Sequence, residues 1–315
     1  MRSRILVVLA VLAAACLPAA AWGSATHAYV ADHFGSREPV FNSHELYGAM
    51  LPDLFQSNLA LNFDPLADAY THGRPGAELF MDVWIVAHGT VEKAVAFGYV
   101  GHNNVWGEDF HAHDLATGYI IQKATLLDAG LDAAGVWTEV TNQTGLTLSA
   151  EDRILYCHIV VEEAGDLIIR RADRAIGAKV AAAAFARTPI VPKMLVAAMR
   201  GLDPATVRRQ ESDFRRSMIL YGTMLLQEEP IAKHLLADMV ADQALAFLAY
   251  EYPGLPTDQL RPFVRDLSLL ALQQAIPLVE PDYMAAVAAT ENDVAAALRA
   301  HGVVYTHPPL LPIRH

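Results

Sequence analysis

The stretch from Ala94 to Asp114, AVAFGYVGHNNVWGEDFHAHD, carries three histidines and two aspartates behind an apolar lead-in. On a continuous α-helix, at about 100° per residue, four of its side chains share one face. These side chains are His102, Trp106, Asp109 and His113. Imidazole and carboxylate groups that converge from one face suit Zn²⁺, which takes N and O ligands at roughly 2.0–2.2 Å. The alternative is a set of hydrogen-bonded core residues, since buried polar groups usually find such partners.

A second pair of candidate ligands lies in the segment ILYCHIVVEEAGDL. His158 and Glu162 are one turn apart on a helix that is otherwise apolar at that face, a common way for a helix to offer two metal ligands. The alternative is a His–Glu pair at the surface. Glu163 is rotated by about 100° and is predicted to be solvated. Asp166, one turn beyond Glu162, is placed to orient a ligand.

Three further candidates lie upstream in short motifs. WGSATH contains His27, GAMLPDLF contains Asp53, and DAYTHG contains His72. Nine of the thirteen histidines fall between His27 and His158. The other four, which we expect to be structural or solvent-exposed, are His234, His301, His307 and His315. The candidate chemistry is therefore concentrated in the amino-terminal half.

Helix signals dominate the elements that must position these residues. Ser149 is a predicted N-cap with Asp152 three residues later, and apolar residues recur at helical spacing from Ala150 to Arg171. Acid–proline dipeptides that place proline at a plausible first helical position are Asp203-Pro204, Glu229-Pro230 and Glu280-Pro281. Because β-hairpin signals are scarce, the sequence predicts an all-α protein.

Two features interrupt the helical pattern. Residues 34–74 are rich in Pro, Gly, Asn and Asp and are predicted to be a loop-rich region. Charged residues and prolines near 187–192 break the apolar run from Ile176 to Met199, so we do not expect this run to cross a membrane. We predict a ligand-rich helical domain at residues 22–187 and a helical carboxyl-terminal region, residues 188–315, packed on it.

The amino terminus, MRSRILVVLAVLAAACLPAAAW, has the composition of a secretory signal peptide. Two arginines precede an apolar run that is too short to span a bilayer, and small residues at positions 19 and 21 fit an A-x-A cleavage site. Cleavage there makes Trp22 the first residue of a secreted or periplasmic chain. The alternative is lipid attachment at Cys16, although Ala13 stands where such sites usually carry Leu.

Composition limits the partners. The chain has 315 residues, 53% of them hydrophobic, and a formal net charge of −12; cleavage removes two arginines and no acid, which leaves −14. This charge disfavours a stable complex with nucleic acid or an anionic membrane surface. A disulfide framework is excluded because only Cys157 remains after cleavage. Nothing in the sequence indicates an oligomeric state.

Together, and in this order, the motifs resemble a known family. An amino-terminal Trp, WGxxTH, GAxxPD, a lone His before an apolar helix, AFGY-x2-H and His-x3-Glu are similar to the zinc-dependent phospholipase C family. That family is related to the single-strand-specific trinuclear zinc nucleases. The resemblance covers residues 22–166, roughly half of the processed chain, and implies a helical bundle that holds two or three zinc ions.

The resemblance also implies a ligand set. Trp22 would bind one zinc ion through its free α-amino group and carbonyl oxygen, together with His27. The ligands of a second ion would be Asp53, His72 and His102. The ligands of a third would be His158, Glu162 and either His113 or His111.

The chain departs from the family pattern at one position. Family members carry an aspartate that bridges two ions four residues after the histidine, but the residue four after His102 is Trp106. Asp109 keeps the same helical face and is predicted to take the bridging role. Helical continuity favours His113 as the last ligand, whereas a break in the helix would leave His111 possible.

The function that the resemblance implies is a secreted zinc-dependent phosphodiester hydrolase. A phospholipase C acting through a metal-activated water, with Asp53 as candidate general base, is the first hypothesis. The positions of the choline pocket hold Ala25, Leu54 and Ala69, so another phospholipid or phosphoester substrate is expected. Aromatic residues that can line a different pocket, or pack in the core, are Phe34, Phe55, Phe63 and Tyr70. The alternatives are a single-strand nuclease with the same ions and a zinc-binding protein without turnover.

Overall fold

The computed structural model describes residues 22–36 and 38–304. Within them the chain forms sixteen α-helices and one 3-10 helix, and no strand. The predicted all-α class is therefore confirmed. The predicted signal peptide, including Cys16, lies outside the described residues.

The helices follow one another with short connections. Those up to residue 144 are α1 (Ser24–Phe34), α2 (Pro39–Met50), the 3-10 helix (Leu51–Phe55), α3 (Leu59–Asn62), α4 (Pro65–Thr71), α5 (Met81–Val86), α6 (Thr90–Gly101), α7 (Glu108–His113), α8 (Tyr119–Ala133) and α9 (Val136–Thr144). Those that follow are α10 (Ala150–Ala172), α11 (Ile176–Ala186), α12 (Ile190–Ala198), α13 (Pro204–Leu225), α14 (Glu229–Glu251), α15 (Thr257–Val279) and α16 (Tyr283–Ala300).

Helix α10 lies at the centre of the molecule. It begins where the capping signal predicts: Ser149 Oγ accepts the Asp152 N–H at 3.1 Å, and the Asp152 carboxylate accepts the Ser149 N–H at 3.1 Å. Between Tyr156 and Ile169 only Ile159 is not buried. A helix that is enclosed on nearly all sides buries its polar residues as well as its apolar ones, and α10 therefore carries His158 and Glu162 into the interior.

Helices α2 and α6 cross at very short range. A Cβ at Gly48 of α2 would meet the main-chain oxygen of Val95, and a Cβ at Gly98 of α6 would meet that of Glu45, both well inside van der Waals contact. Only glycine permits this approach. Because α2 leads to the 3-10 helix and α6 leads to His102, the crossing sets the distance between two candidate ligand segments.

The region predicted to be loop-rich is largely helical. It contains α2, the 3-10 helix, α3 and α4. Helix α2 is started by the Glu38 side chain, which accepts the Phe41 N–H at 2.9 Å, with Pro39 at the first turn. The prediction failed there because these caps were hidden among the proline and asparagine residues that suggested loops.

Not every predicted acid–proline dipeptide starts a helix. Asp203 caps α13 and Pro204 is its first residue, as predicted. Glu280-Pro281 does not start a helix, because α16 begins only at Tyr283. The Glu280 carboxylate instead pairs with Arg171 at 2.7 Å, which holds it at the end of α15.

The main hydrophobic core extends from Trp22 to Val303 and draws on both sides of residue 187. A second, smaller apolar cluster lies between α14 and α15. Its buried members are Ala241, Leu245, Leu260 and Val264. The division into residues 22–187 and 188–315 stays a prediction.

In the described part of the chain, no individual helix has the length and hydropathy to cross a membrane. Helices α11 and α12 meet the length and composition criteria only when taken together, and they bend by 80° at their junction.

Candidate metal centre

Five of the predicted ligands converge in the interior, and we call them the Asp109 group. Its members are His27 on α1, Asp53 on the 3-10 helix, His72 after α4, His102 after α6 and Asp109 on α7. All five side chains are at most 6% exposed. Elements far apart in sequence therefore deliver imidazole and carboxylate groups to one buried place.

Asp109 lies at the middle of this group. Its Oδ1 is 3.6 Å from His27 Nε2, and its Oδ2 is 3.6 Å from His72 Nε2 and 3.1 Å from His102 Nε2. Both carboxylate oxygens thus face histidines, on opposite sides. This is the arrangement that a bridging carboxylate requires.

Asp53 closes the other side of the group. Its Oδ1 lies 3.3 Å from His72 Nε2 and 3.7 Å from His102 Nε2. Two overlapping sets have candidate ligand atoms within 4.8 Å of one another: His27, Asp53 and His102; and His72, His102 and Asp109. His102 belongs to both sets, and its ring stacks on that of His27 with centroids 3.9 Å apart.

A third set, the His113 group, consists of His113, His158 and Glu162. His158 Nε2 lies 2.9 Å from His113 Nε2 and 2.6 Å from Glu162 Oε1, and His113 Nε2 lies 3.4 Å from Glu162 Oε1. The structure therefore places His113 beside this pair. His111 lies elsewhere, with Nδ1 4.0 Å from Asp293 Oδ2 and its side chain 26% exposed.

The continuous helix predicted through residues 102 to 113 is wrong. Helix α6 ends at Gly101 and α7 begins at Glu108. The Asn103 side chain causes the break, because its Oδ1 accepts the N–H groups of Val105, Trp106 and Gly107 at 2.8, 2.9 and 3.2 Å.

The loop nevertheless returns Asp109 to the site. The Asp109 N–H donates to the His102 carbonyl at 2.8 Å, so the two residues stay adjacent. Trp106 faces away: it stacks on His301 with centroids 4.5 Å apart and packs against Phe80. Asp109 therefore occupies the place next to His102 through loop closure instead of helical spacing.

The polar atoms of the Asp109 group are consistent with a bound cation. His27 Nε2, His102 Nε2 and both carboxylate oxygens of Asp109 are buried and make no hydrogen bond with proper geometry to any described residue. Burying such groups without partners costs several kcal/mol. Divalent ions on the two sides of Asp109 would satisfy these atoms, and the donor set of nitrogen and carboxylate oxygen suits zinc.

Burial dominates the electrostatics. It raises the pKa of Asp109 and holds that of Glu162 well above the usual value, while it lowers the pKa of His27 well below the usual value. For His102 burial alone would lower the pKa, but the carboxylates of Asp109 and Asp53 outweigh it and raise the pKa to about 9. Without a cation, carboxylates and imidazoles here compete for protons; a metal ion would replace those protons.

In each histidine of the Asp109 group, Nδ1 contacts a residue outside the group, and this contact fixes the orientation of the ring. His27 Nδ1 lies 2.6 Å from Glu108 Oε2, His72 Nδ1 lies 2.9 Å from Thr71 Oγ1, and His102 Nδ1 lies 2.7 Å from the Ala49 carbonyl. These contacts leave all three Nε2 atoms directed at the carboxylates. Such outer partners fix ring orientation and tautomer in metal sites.

Glu108 is a residue that sequence reasoning missed. It is fully buried, contacts His27 and also accepts the Trp22 indole N–H through its main-chain oxygen at 3.0 Å. Its position directly before Asp109, in a stretch already rich in candidate ligands, was the available signal.

Trp22 is anchored beside the site. Its side chain is 1% exposed, stacks on Tyr119 with centroids 5.5 Å apart and meets Tyr283 edge-on at 5.3 Å. Burial lowers the pKa of His27, and a hydrogen bond to the main chain of Trp22 partly opposes this effect. The predicted role of its amino group stays a prediction.

Asp166 holds the first turn of α1. Its carboxylate accepts the N–H groups of Ala25 at 2.7 Å and Thr26 at 2.9 Å, and the Thr26 hydroxyl at 2.6 Å. A carboxylate at a helix amino terminus accepts hydrogen bonds from unpaired N–H groups and interacts favourably with the positive end of the helix dipole. Asp166 thereby fixes the helix that carries His27, which is consistent with its predicted orienting role.

Glu163 was predicted to be solvated, and this is wrong. It is 7% exposed, and its carboxylate accepts the Tyr221 hydroxyl at 2.8 Å. The rotation along α10 was correctly predicted, but α13 covers that face, which the local sequence does not reveal.

A cavity of about 540 Å³ borders both groups. Trp22, Asp53 and Glu162 lie at its edge. Most of its wall is apolar and comes from α9, α10, α14 and α15, including Trp137, Ile159, Met239, Phe247, Phe263 and Leu267. Among the described residues that line it there is no lysine, arginine or histidine.

Of the four aromatic residues considered for a pocket, only Phe63 lines this cavity. Its ring stacks on Tyr250 of α14 with centroids 5.8 Å apart. Phe55 and Tyr70 are buried in the core, and Phe34 packs against Phe97.

Comparison with protein-family models, curated protein sequences and solved structures gives no significant match. The described residues form an all-helical fold with three buried groups of His, Asp and Glu that could hold metal ions.

Proposed function

We propose that this protein is a zinc-dependent phosphodiester hydrolase of the phospholipase C type, with a helical bundle like that of the trinuclear zinc enzymes. The observation that carries the proposal is the position of Asp109, whose two unpaired oxygens face histidines from three different elements. This position replaces the bridging aspartate that the sequence lacks at Trp106.

The ligands would be shared among two or three zinc ions. Trp22, His27 and Asp109 would hold one ion. Asp53, His72, His102 and Asp109 would hold the second. His113, His158 and Glu162 would hold the third. Zinc ions in such a cluster lower the pKa of water and stabilise the charge on a phosphodiester during in-line attack.

The chain's own residues supply position and proton transfer. Asp53 borders the cavity and is the carboxylate of the Asp109 group that a substrate would meet. We assign it the role of base: it takes a proton from the attacking water as the oxygen–phosphorus bond forms. The phosphorus–oxygen bond to the alcohol then breaks, and the departing alkoxide takes the proton held by Asp53, which restores the Asp53 carboxylate.

The cavity favours a lipid substrate over a nucleic acid. Proteins that bind single-stranded nucleic acid line their groove with basic residues that follow the phosphates. The described cavity wall has none, and its charged residues are all acidic. A neutral or zwitterionic lipid with a single phosphodiester fits this wall better. We propose secretion or periplasmic location, with Trp22 at the processed amino terminus.

Two measurements on the processed chain test the proposal. Elemental analysis is expected to find two to three zinc ions per chain, and the loaded protein is expected to hydrolyse at least one member of a phospholipid panel with varied headgroups. Turnover of single-stranded DNA without any phospholipid would favour the nuclease. Fewer than two zinc ions per chain would exclude both hydrolytic functions and leave a zinc-binding protein.

A further inference from the structure

Helices α14 and α15 contribute no residue to the candidate metal centre, yet they form a large part of the cavity beside it. Met239, Ala244 and Phe247 of α14 and Phe263 and Leu267 of α15 form one wall. None of these residues offers a ligand or a proton. This part of the cavity wall is therefore suited to contact with an apolar ligand.

The opposite wall is also apolar and belongs to the helices that carry or flank the site. Trp137 of α9 and Ile159 of α10 line the cavity. The Trp137 ring packs edge-on against that of Tyr156, with centroids 5.9 Å apart. Ile159 is the one residue between Tyr156 and Ile169 that is not buried. Helix α10 thus exposes an apolar side chain to the cavity next to His158.

The cavity joins the candidate metal centre to an apolar wall. Asp53, Glu162 and Trp22 line it together with Phe63, Phe247 and Phe263. Its other acidic lining residues are Asp152, Glu163, Asp238 and Asp242. At about 540 Å³ it lies within the range of about 300–1,000 Å³ typical of sites for small molecules. A ligand that matches it has one polar, phosphate-bearing end and one long apolar end.

Part of the cavity wall belongs to the second apolar cluster. Leu245, Leu260 and their neighbours pack between α14 and α15, and Val264 of this cluster also lines the cavity. Helix α15 is held against α10, where the Tyr156 hydroxyl donates to Ser268 Oγ at 3.2 Å, so the cavity lies beside a packed interface. An apolar space of this kind loses packing energy unless a ligand occupies it.

We propose that this cavity binds an aliphatic chain of the substrate, so that the hydrolysed bond lies at the Asp109 group while the chain lies between α10 and the α14–α15 hairpin. The class of ligand is a phosphodiester lipid with at least one long alkyl or acyl chain. The identity of the phosphodiester end rests on the proposed function; the chain-binding site does not.

The direct test uses neutral alcohols as probes, because they carry an alkyl chain but no phosphodiester. Binding of 1-octanol and 1-dodecanol to the processed chain is measured by isothermal titration calorimetry. Each buried methylene contributes about fourfold in affinity, so dodecanol, with four more methylenes, is expected to bind about 250-fold more tightly than octanol. Equal affinity for the two alcohols, or no binding of dodecanol, would overturn the proposal.

Variants locate the site. Ala244→Phe fills the cavity from α14 and is expected to weaken dodecanol binding by about tenfold or more, whereas Ala249→Phe, on an exposed position of the same helix that does not line the cavity, leaves it unchanged. Leu267→Gln makes the α15 wall polar, with Leu270→Gln, 41% exposed and outside the cavity lining, as its control. Thermal melting checks that each variant folds. Equal affinity in a folded cavity variant and its control would refute the site.

Hydrolysis of alkyl phosphocholines with four and twelve carbons separates this inference from the proposed function. A kcat/KM that rises with chain length in the wild-type protein and loses this dependence in Ala244→Phe supports both. Dodecanol binding without hydrolysis of either substrate or of any member of the phospholipid panel would refute the proposed function and leave the chain site standing. Equal hydrolysis of both substrates without dodecanol binding would refute the chain site alone.

Discussion

The Asp109 group and the His113 group differ in how their side chains are brought together. The five residues of the Asp109 group come from five separate segments, and four of their polar atoms have no hydrogen-bond partner among the described residues. In the His113 group, His158 and Glu162 are one turn apart on α10 and contact each other at 2.6 Å. The His158–Glu162 pair thus has its contact without an ion, whereas four polar atoms of the Asp109 group do not have a hydrogen-bond partner among the described residues.

This difference predicts that a cation contributes more to the Asp109 group than to the His113 group. An ion in the Asp109 group would offset the cost of buried, unpaired atoms and would hold five segments together. An ion in the His113 group would replace contacts that already exist. Variants in the two groups can therefore test whether a cation stabilises one group more than the other.

The largest effect is expected from Asp109→Asn. The amide keeps the shape but removes the charge that faces three histidines, so we expect a loss of at least one zinc ion and a fall in kcat/KM of about 1000-fold, or several kcal/mol of transition-state stabilisation. Metal content and steady-state kinetics measure both. Asp114→Asn is the control, since Asp114 only caps a turn at Ala116 and Thr117. Full zinc content in Asp109→Asn would remove Asp109 from the ligand set.

A smaller effect is expected from His113→Ala. The variant loses one ligand of the His113 group, while His158 and Glu162 retain each other, so we expect the loss of one zinc ion and a fall in kcat/KM of about 100-fold. His111→Ala, only two residues away and partly exposed, is expected to keep all ions. If the two variants exchanged these outcomes, the choice between the histidines would be reversed.

An amino-terminal extension tests whether Trp22 contributes through its amino group. One extra residue before Trp22 turns the amine into an amide and is expected to lower zinc content by one ion and activity by about tenfold to 100-fold. The same chain cut to begin at Trp22 is the reference. Unchanged zinc content in the extended chain would show that the amino group is not a ligand.

The smallest effect is expected from Glu108→Gln. The glutamine still contacts His27 but lacks the negative charge that holds the ring and raises its basicity, so zinc affinity is expected to fall by about tenfold. Competition with a chelator of known affinity measures the change. Glu291→Gln, which alters the Glu partner of the surface residue His33, is the matched control and is expected to have no effect. Equal affinities in the two variants would assign Glu108 a purely structural role.

The helical class could be predicted from the sequence, and eight of the nine predicted metal ligands lie in groups that could hold a metal ion. His158 and Glu162 needed only helical spacing. The motif order predicted the neighbours of His102, although the reason given for Asp109 was wrong: a loop closed by Asn103, and not helical continuity, brings it back.

What the sequence could not reveal depends on contacts between distant helices. The burial of Glu163 requires α13, which follows some forty residues later along the chain. The positioning role of Glu108 requires α1, and the cavity requires the α14–α15 hairpin. No local pattern encodes these contacts, because each is created only when two elements with their own amphipathic faces pack together.

The capping of α1 by Asp166 also dictates an order of assembly. Asp166 is itself held by the Tyr221 hydroxyl at 2.5 Å, and Thr26 meets the Tyr283 hydroxyl at 2.8 Å. The segment that carries Trp22 and His27 precedes in the chain all the helices that anchor it. It therefore reaches its final position only when α10, α13 and α16 have packed around it, which couples the geometry of the candidate metal centre to the packing of much later helices.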